Sequence, residues 1–238
     1  MISVIGIGPG GKQGMTLQAI AAIEKAEVIV GYTTYIRLIE DLIKDKHVVV
    51  NGMRAEVERC QEAIDIARTG KHVAVISSGD AGVYGMAGLV YELSNGKDDI
   101  EVIAGVTASS AAAAILGAPL MHDFCNISLS DLMTPFDKIM KRIEASASAD
   151  FVICLYNPRS KGRKDHLKNA LEIIGRIQGL DVPVGLVKDA GRDGETVKYT
   201  TIGTLDENLV DMTTVVVIGN SQTRMIAGKM ITPRGYAL

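Results

Sequence analysis

The chain has 238 residues, with 25 Lys and Arg against 28 Asp and Glu and a formal net charge of −3, which argues against a general nucleic-acid binder. Hydrophobic residues make up 47% and aromatics 4%, without Trp, so the chain can bury a sizeable aliphatic core of the kind parallel sheets favour. Cys60, Cys125 and Cys154 are widely spaced, with no CxxC pair or Cys/His cluster, so neither a disulfide framework nor a metal site is expected. No apolar run reaches membrane-spanning length and no signal-like leader is visible, so a soluble cytoplasmic protein is expected.

Ile2 to Ile7 reads as a buried strand ending in Gly8-Pro9-Gly10-Gly11. Gly6-x-Gly8-x-x-Gly11 matches the dinucleotide fingerprint. However, Pro9 lacks an N–H for a phosphate, and the next strand ends in Gly31-Tyr32 where an acid belongs. A P-loop is disfavoured by Gln13, which stands where Ser or Thr should hold magnesium. Val28–Val30 and Val48–Val50 read as short strands, with a helix over Tyr35–Ile43 between them. Ala55–Ala67 carries a helical stripe of Val57, Cys60, Ala63, Ile64 and Ala67.

The apolar run Val73–Ile76 then enters Ser77-Ser78-Gly79-Asp80-Ala81-Gly82-Val83-Tyr84-Gly85, and a helix is expected to begin near Tyr84. Ile100–Ile103 repeats the design and ends in Ala104-Gly105-Val106-Thr107-Ala108-Ser109. A small-residue helix over Thr107–Leu116 follows. Strand–helix alternation implies right-handed crossovers and a mainly parallel sheet, with ligands just beyond the carboxyl ends of its strands.

Gly117-Ala118-Pro119-Leu120 breaks the pattern. The expected organisation is an N-terminal α/β domain over 1–116, a linker over 117–122 and a C-terminal α/β domain over 123–238, with a ligand cleft between the domains. Strands are expected over Phe124–Leu129, Phe151–Leu155, Val182–Val187, Lys198–Ile202 and Thr214–Ile218. Helices are expected over Phe136–Ile143 and His166–Ile177. The strands on either side of Asp189–Glu195 can pair antiparallel.

Asp80 is the acid most exposed on the expected ligand edge. It suits proton transfer or ligand binding, and equally a turn aspartate that bonds its own loop. His122 beside Asp123 suits an acid/base role or a plain structural histidine. Tyr156-Asn157-Pro158-Arg159-Ser160-Lys161-Gly162-Arg163-Lys164 follows a strand and holds four cations in six residues, which favours an anionic partner. Arg192 follows the next strand.

Taken in order, these segments resemble the tetrapyrrole methylase family over essentially the whole chain. The resemblance rests on Gly6-Ile7-Gly8-Pro9-Gly10, Gly31 to Tyr35, Ser77 to Gly88, Gly117 to Leu132, Leu155 to Arg163 and Thr232-Pro233-Arg234-Gly235-Tyr236. It implies two α/β domains with a cleft for S-adenosylmethionine (SAM), and a homodimer. The implied SAM contacts are Pro9, Gly79, Asp80, Ala81, Gly82, Thr107, Ala108, Tyr156, Asn157 and Ala190. Ala104 departs from the family, which has proline there. His122-Asp123-Phe124, Tyr-Asn-Pro-Arg-Ser and the C-terminal Thr-Pro-Arg-Gly-Tyr imply methylation at carbon 17 of a precorrin-3-type tetrapyrrole with ring contraction, in cobalamin synthesis. Arg159, Lys161, Arg163 and Arg192 match the carboxylates of such a substrate, and Asp80 or His122 would serve as acid/base in the contraction. No iron–sulfur cluster is implied. The rival readings are a sister methylase acting at another ring carbon and a non-catalytic tetrapyrrole-binding subunit.

Overall fold

A computed structural model describes residues 1–52, 55–160 and 162–237, without the side chain of residue 51. The chain divides into two compact units, Met1–Ala108 and Ser109–Leu238.

The first unit runs β1 (Ile2–Gly6), α1 (Leu17–Lys25), β2 (Val28–Tyr32), α2 (Thr33–Arg37), β3 (His47–Asn51), α3 (Glu56–Arg68), β4 (Val73–Ser77), α4 (Ala87–Ser94) and β5 (Ile100–Ile103). Its sheet has the order β3-β2-β4-β1-β5 and every pairing is parallel. Side chains alternate across such a strand, so both faces need cover. Ile2, Val4, Val28, Val30, Val73 and Val75 pack with α3 and α4 residues on one face. Ile5, Ile29, Ala74 and Ile76 pack with Ala19, Ala22 and Ile23 of α1 on the other. Neighbours β1 and β4 therefore send their following helices to opposite faces, which makes their carboxyl ends a topological switch point, where open α/β sheets place ligands.

The second unit begins with α5 (Ala108–Leu116), whose first residue closes the first unit. There follow β6 (Gly117–Ala118), β7 (Phe124–Ser128), α6 (Phe136–Ser148), β8 (Val152–Tyr156), α7 (His166–Gln178), β9 (Pro183–Lys188), β10 (Thr196–Thr201), β11 (Thr214–Ile218), β12 (Arg224–Ile226) and β13 (Lys229–Ile231). The main sheet is β10-β9-β11-β8-β7 and is mixed: β7 and β8 are parallel, and the other pairings are antiparallel. Strands β7, β8 and β9 thus share one direction, and their carboxyl ends share one edge. Helices α6 and α7 cover one face through Ile139, Ile143, Leu167, Ala170 and Ile174.

Two expectations about organisation change. The division falls after Ala108, not at 116, because α5 belongs with the second unit. Leu116 fills the space left by Gly185, where a Cβ would come within 2.4 Å of it, and Tyr199 Oη donates to the Leu116 carbonyl at 3.0 Å. Residues 117–122 are not a free linker, since β6 pairs with β13 and the Ala118 carbonyl accepts the Thr232 N–H at 3.1 Å. Within the first unit, α4 starts at Ala87 rather than Tyr84, which sits at φ 54° in an irregular turn. The helix expected to Ile43 stops at Arg37, and only a 3-10 turn follows at Glu40–Leu42.

Candidate functional site

The turns after β1, β4 and β5 meet where the sheet topology switches. Gly8 and Gly79 exchange backbone hydrogen bonds, Gly8 N to Gly79 O at 3.0 Å and Gly79 N to Gly8 O at 2.8 Å. Both glycines hold positive φ, +72° and +67°, a conformation other residues adopt at a cost. The approach is close enough that side chains are excluded. A Cβ on Gly6 would lie 2.7 Å from both Gly105 N and Gly79 O, and one on Gly105 would lie 2.1 Å from Gly79 O and 2.6 Å from Gly6 O. The three turns therefore pack backbone against backbone at Gly6, Gly79 and Gly105.

Asp80 ties these turns together. Its Oδ1 accepts the Gly82 N–H at 2.8 Å, and its Oδ2 accepts the Gly105 N–H at 3.0 Å. Both carboxylate oxygens are thus engaged with backbone, one of them across to the β5 turn. The turn-aspartate reading extends here to a cross-loop clamp. Ala81 is fully buried beside it, and Gly82 is exposed. Pro9, Thr107 and Ala108 lie part-exposed on the flanking turns. Thr16, which caps α1 by accepting the Ala19 N–H, also donates to the Ala104 carbonyl at 3.3 Å and so holds the β5 turn from the other side.

A charged residue absent from the sequence expectations lies one strand further along the same edge. Arg59 of α3 is 3% exposed. Its Nη2 donates to the Gly52 carbonyl at 2.9 Å, its Nη1 stands 4.0 Å from the Met86 sulfur, and its guanidinium carbon is 5.9 Å from the centre of the Tyr32 ring. Tyr32 is braced edge-to-face by Tyr35 at 5.3 Å. No local pattern announces Arg59, since it simply flanks the apolar stripe of α3.

In the second unit, the carboxyl ends of β7, β8 and β9 carry the expected polar residues, and several are engaged structurally. Tyr156 Oη accepts the Ser109 N–H at 2.8 Å. Asn157 adopts φ 51° and donates from Nδ2 to Ser128 Oγ at 3.0 Å. Arg159 binds the Glu207 carbonyl and Asn208 Oδ1. Arg163 is 8% exposed and donates to Ser130 Oγ at 2.7 Å, so it pins loops together rather than projecting as a free cation. Ala190 is 8% exposed in the turn after β9. The Arg192 N–H closes the same turn on Asp189 O at 2.9 Å. Lys161 lies outside the described residues.

His122 lies at the amino end of β7, whereas the polar cluster lies at the carboxyl ends. Its Nδ1 accepts the Asp123 N–H at 2.9 Å, and its side chain is 49% exposed. A histidine that does join the cluster is His166, at the start of α7. Its Nε2 stands 3.1 Å from Asp131 Oδ2, and the ring meets Phe136 edge-on at 4.7 Å. The His166 ring beside it holds the Asp131 carboxyl below the usual carboxylate range. Thirty-odd residues separate the two partners in sequence, so spacing alone could not pair them.

Among the described residues, no group of three or more His, Cys, Asp or Glu side chains is placed to hold a metal ion, and no helix is long and apolar enough to cross a membrane.

Comparison with known proteins agrees with this architecture. The model of the tetrapyrrole (corrin/porphyrin) methylases matches residues 1–206. The chain is 56% identical, over all of both chains, to a probable cobalt-factor III C(17)-methyltransferase of Salmonella typhimurium. It is 38% identical to a precorrin-3B C(17)-methyltransferase of Sinorhizobium sp., covering 98% of this chain and 96% of that one. The crystal structure of the methyltransferase CobJ superimposes with a TM-score of 0.93 at 34% identity, covering 98% of this chain and 99% of that one.

Proposed function

The chain belongs to the tetrapyrrole methylase family, and on that premise we propose that it transfers a methyl group from SAM to carbon 17 of a cobalt-factor III or precorrin-3B type tetrapyrrole, with ring contraction, in cobalamin biosynthesis. The observation that carries this reading is the full-length 56% identity to the Salmonella C(17)-methyltransferase. The rival sister methylases compare less specifically, since the cobalt-precorrin-4 methyltransferase structure shares 23% identity and speaks for the fold alone.

The first unit fits a bulky, polar donor. Its edge crowds Gly6, Gly79 and Gly105 backbone to backbone, and beside them the part-exposed Pro9, Thr107 and Ala108 and the exposed Gly82 offer main chain that a ligand can approach closely. Pro9, Gly79, Ala81, Gly82, Thr107 and Ala108 are the residues that would line it. SAM supplies an electrophilic methyl group on a sulfonium, and in-line transfer to carbon depends on orientation and on excluding water. Asp80 acts in this reading as a positioning residue, because both its oxygens are spent on holding Gly82 and Gly105. In the second unit, Tyr156, Asn157 and Ala190 are the proposed donor contacts that the family resemblance implies. Arg192 and Arg159 remain the proposed cations for substrate carboxylates. Arg163 drops to a supporting role. A homodimer working in the cytoplasm belongs to the same proposal.

The test is anaerobic incubation of the purified protein with SAM and the cobalt-bearing precorrin-3-level substrate. One added methyl with an altered visible spectrum is expected. Unchanged substrate, with SAM still bound, would overturn the cobalt-bearing assignment and turn the search to the metal-free substrate.

A further inference from the structure

Arg59 is a buried guanidinium with no carboxylate beside it among the described residues. Among the described residues its neighbours are one carbonyl, one thioether and one aromatic face, and its Nε has no hydrogen-bond partner. A buried charge is costly unless it is paired and fully hydrogen-bonded. A solvated surface arginine would need no explanation, but one that is 3% exposed does.

Its position supplies the explanation. Tyr32 ends β2, Gly52 follows β3, and Met86 precedes α4 after the β4 turn. All three neighbours therefore stand at the carboxyl edge of the parallel sheet, beside the switch point. We infer that Arg59 anchors a carboxylate side arm of the tetrapyrrole, on the β2–β3 side of the donor edge. The planar fork of a guanidinium matches a carboxylate in two-point fashion, and it binds most strongly where water is excluded. The Met86 sulfur, at 4.0 Å, is the weakest of its contacts and the one a carboxylate displaces. The inference rests on the tetrapyrrole reading above and names a substrate-binding residue that the cationic loops of the second unit do not supply.

A carboxylate could also come from the methionyl end of SAM, so the test has separate arms. Wild type, Arg59→Met and Arg59→Lys are titrated with uroporphyrin, an octacarboxylate, followed by porphyrin fluorescence. Its octamethyl ester serves as the uncharged control. S-adenosylhomocysteine affinity and Tm are measured on the same samples. Arg59→Met is expected to weaken uroporphyrin binding ten- to a hundred-fold, about 1.4–2.8 kcal/mol at 1.4 kcal/mol per decade. The cofactor-product Kd should stay within two-fold and Tm should hold or rise, because an unpaired buried charge has been removed. Arg59→Lys, which keeps the charge but not the fork, should fall between, and it carries the test if the Met variant does not fold.

Unchanged uroporphyrin affinity with a lowered Tm would make Arg59 a strut for Gly52 and overturn the inference. A ten-fold loss confined to S-adenosylhomocysteine would assign the residue to the donor and overturn it equally. A wild type that discriminates neither porphyrin from its ester nor binds either would sink the tetrapyrrole reading itself, a failure visible before any variant is compared.

Discussion

Gly105→Ala offers a sharp test of the glycine-crowded edge. The added Cβ would sit 2.1 Å from Gly79 O, 2.6 Å from Gly6 O and 2.7 Å from the Gly6 carbonyl carbon. Ordinary Cβ contacts do not fall below 3.0 Å, so the deficit is nearly an ångström and all three obstacles are backbone. No rotamer change relieves it. The β1, β4 and β5 turns must separate, and the Gly105 N–H must move off Asp80. Overpacking of this kind costs about 1–3 kcal/mol, and at ~2–4 °C per kcal/mol for a chain of this size Tm should fall by roughly 2–12 °C. Donor affinity should fall with stability, because the turns that must separate are the ones proposed to line the donor site. Gly88→Ala is the matched control. Gly88 is helical, with nothing within 4 Å of its would-be Cβ, so the same methyl group should add about 0.5–1 kcal/mol of stability. The assay is calorimetric Tm together with titration of S-adenosylhomocysteine. A Gly105→Ala protein that melts and binds like wild type would refute the idea that these turns must touch.

Asp80→Asn should lower both stability and donor affinity, because an amide group would face the Gly82 or Gly105 N–H. A donor left unpaired costs about 1–3 kcal/mol when buried, and less at the part-exposed Gly105 and the exposed Gly82. A large loss of turnover with Tm and donor Kd unchanged would instead restore a direct chemical role. Asp131, held below its ordinary range by His166, contributes stability that is present above the unfolded value of about 3.9 and lost as pH falls through the lower folded value. Asp131→Asn should therefore be less stable than wild type at pH 6, and the two urea midpoints should converge in acid; a gap that persists there would point to packing instead. Burial pushes the Cys60 thiol up to about 11 and Cys154 up to about 12. Neither should react with iodoacetamide at pH 8 in the folded protein, while both should label in urea, as read by peptide mass.

The sequence disclosed most about places where local chemistry decides structure. Apolar runs ending in glycine marked β1 and β4, and small residues marked α5. Tyr84 misled because Val83-Tyr84 reads as the start of a helix, while tertiary crowding prevents it. A Cβ on Gly85 would meet Ala81 O at 2.5 Å and Ser77 Oγ at 2.6 Å, and the chain turns there through an unusual φ instead. The β12–β13 hairpin went unread since its strands have three residues each. Its turn is Ala227-Gly228, both at positive φ, where an Asn-Gly pair would have signalled it. Arg163 shows the limit of counting charges: four cations in six residues suggested an anionic partner, yet its fate depends on Ser130, which is 33 residues away. Arg59 failed to stand out for the opposite reason, because burial beside Tyr32 and Gly52 is a property of the sheet edge rather than of its helix.

The all-parallel register of the first sheet also bears on how the chain comes into being. Strand β1 precedes both of its partners: Ile2 lies against Val73 and Ile100. At a synthesis rate of ~5–20 residues per second, about 5–20 s pass before β5 is available to it. Until first β4 and then β5 emerge, the aliphatic β1 lacks its sheet partners, as slow non-local pairing entails. The contact of Gly6, Gly79 and Gly105 closes only when the last of the three has emerged. This glycine-crowded edge is thus the last part of its unit to exist, so a nascent chain stalled before residue 105 would carry the glycine turn of β1 without the turn that closes on it.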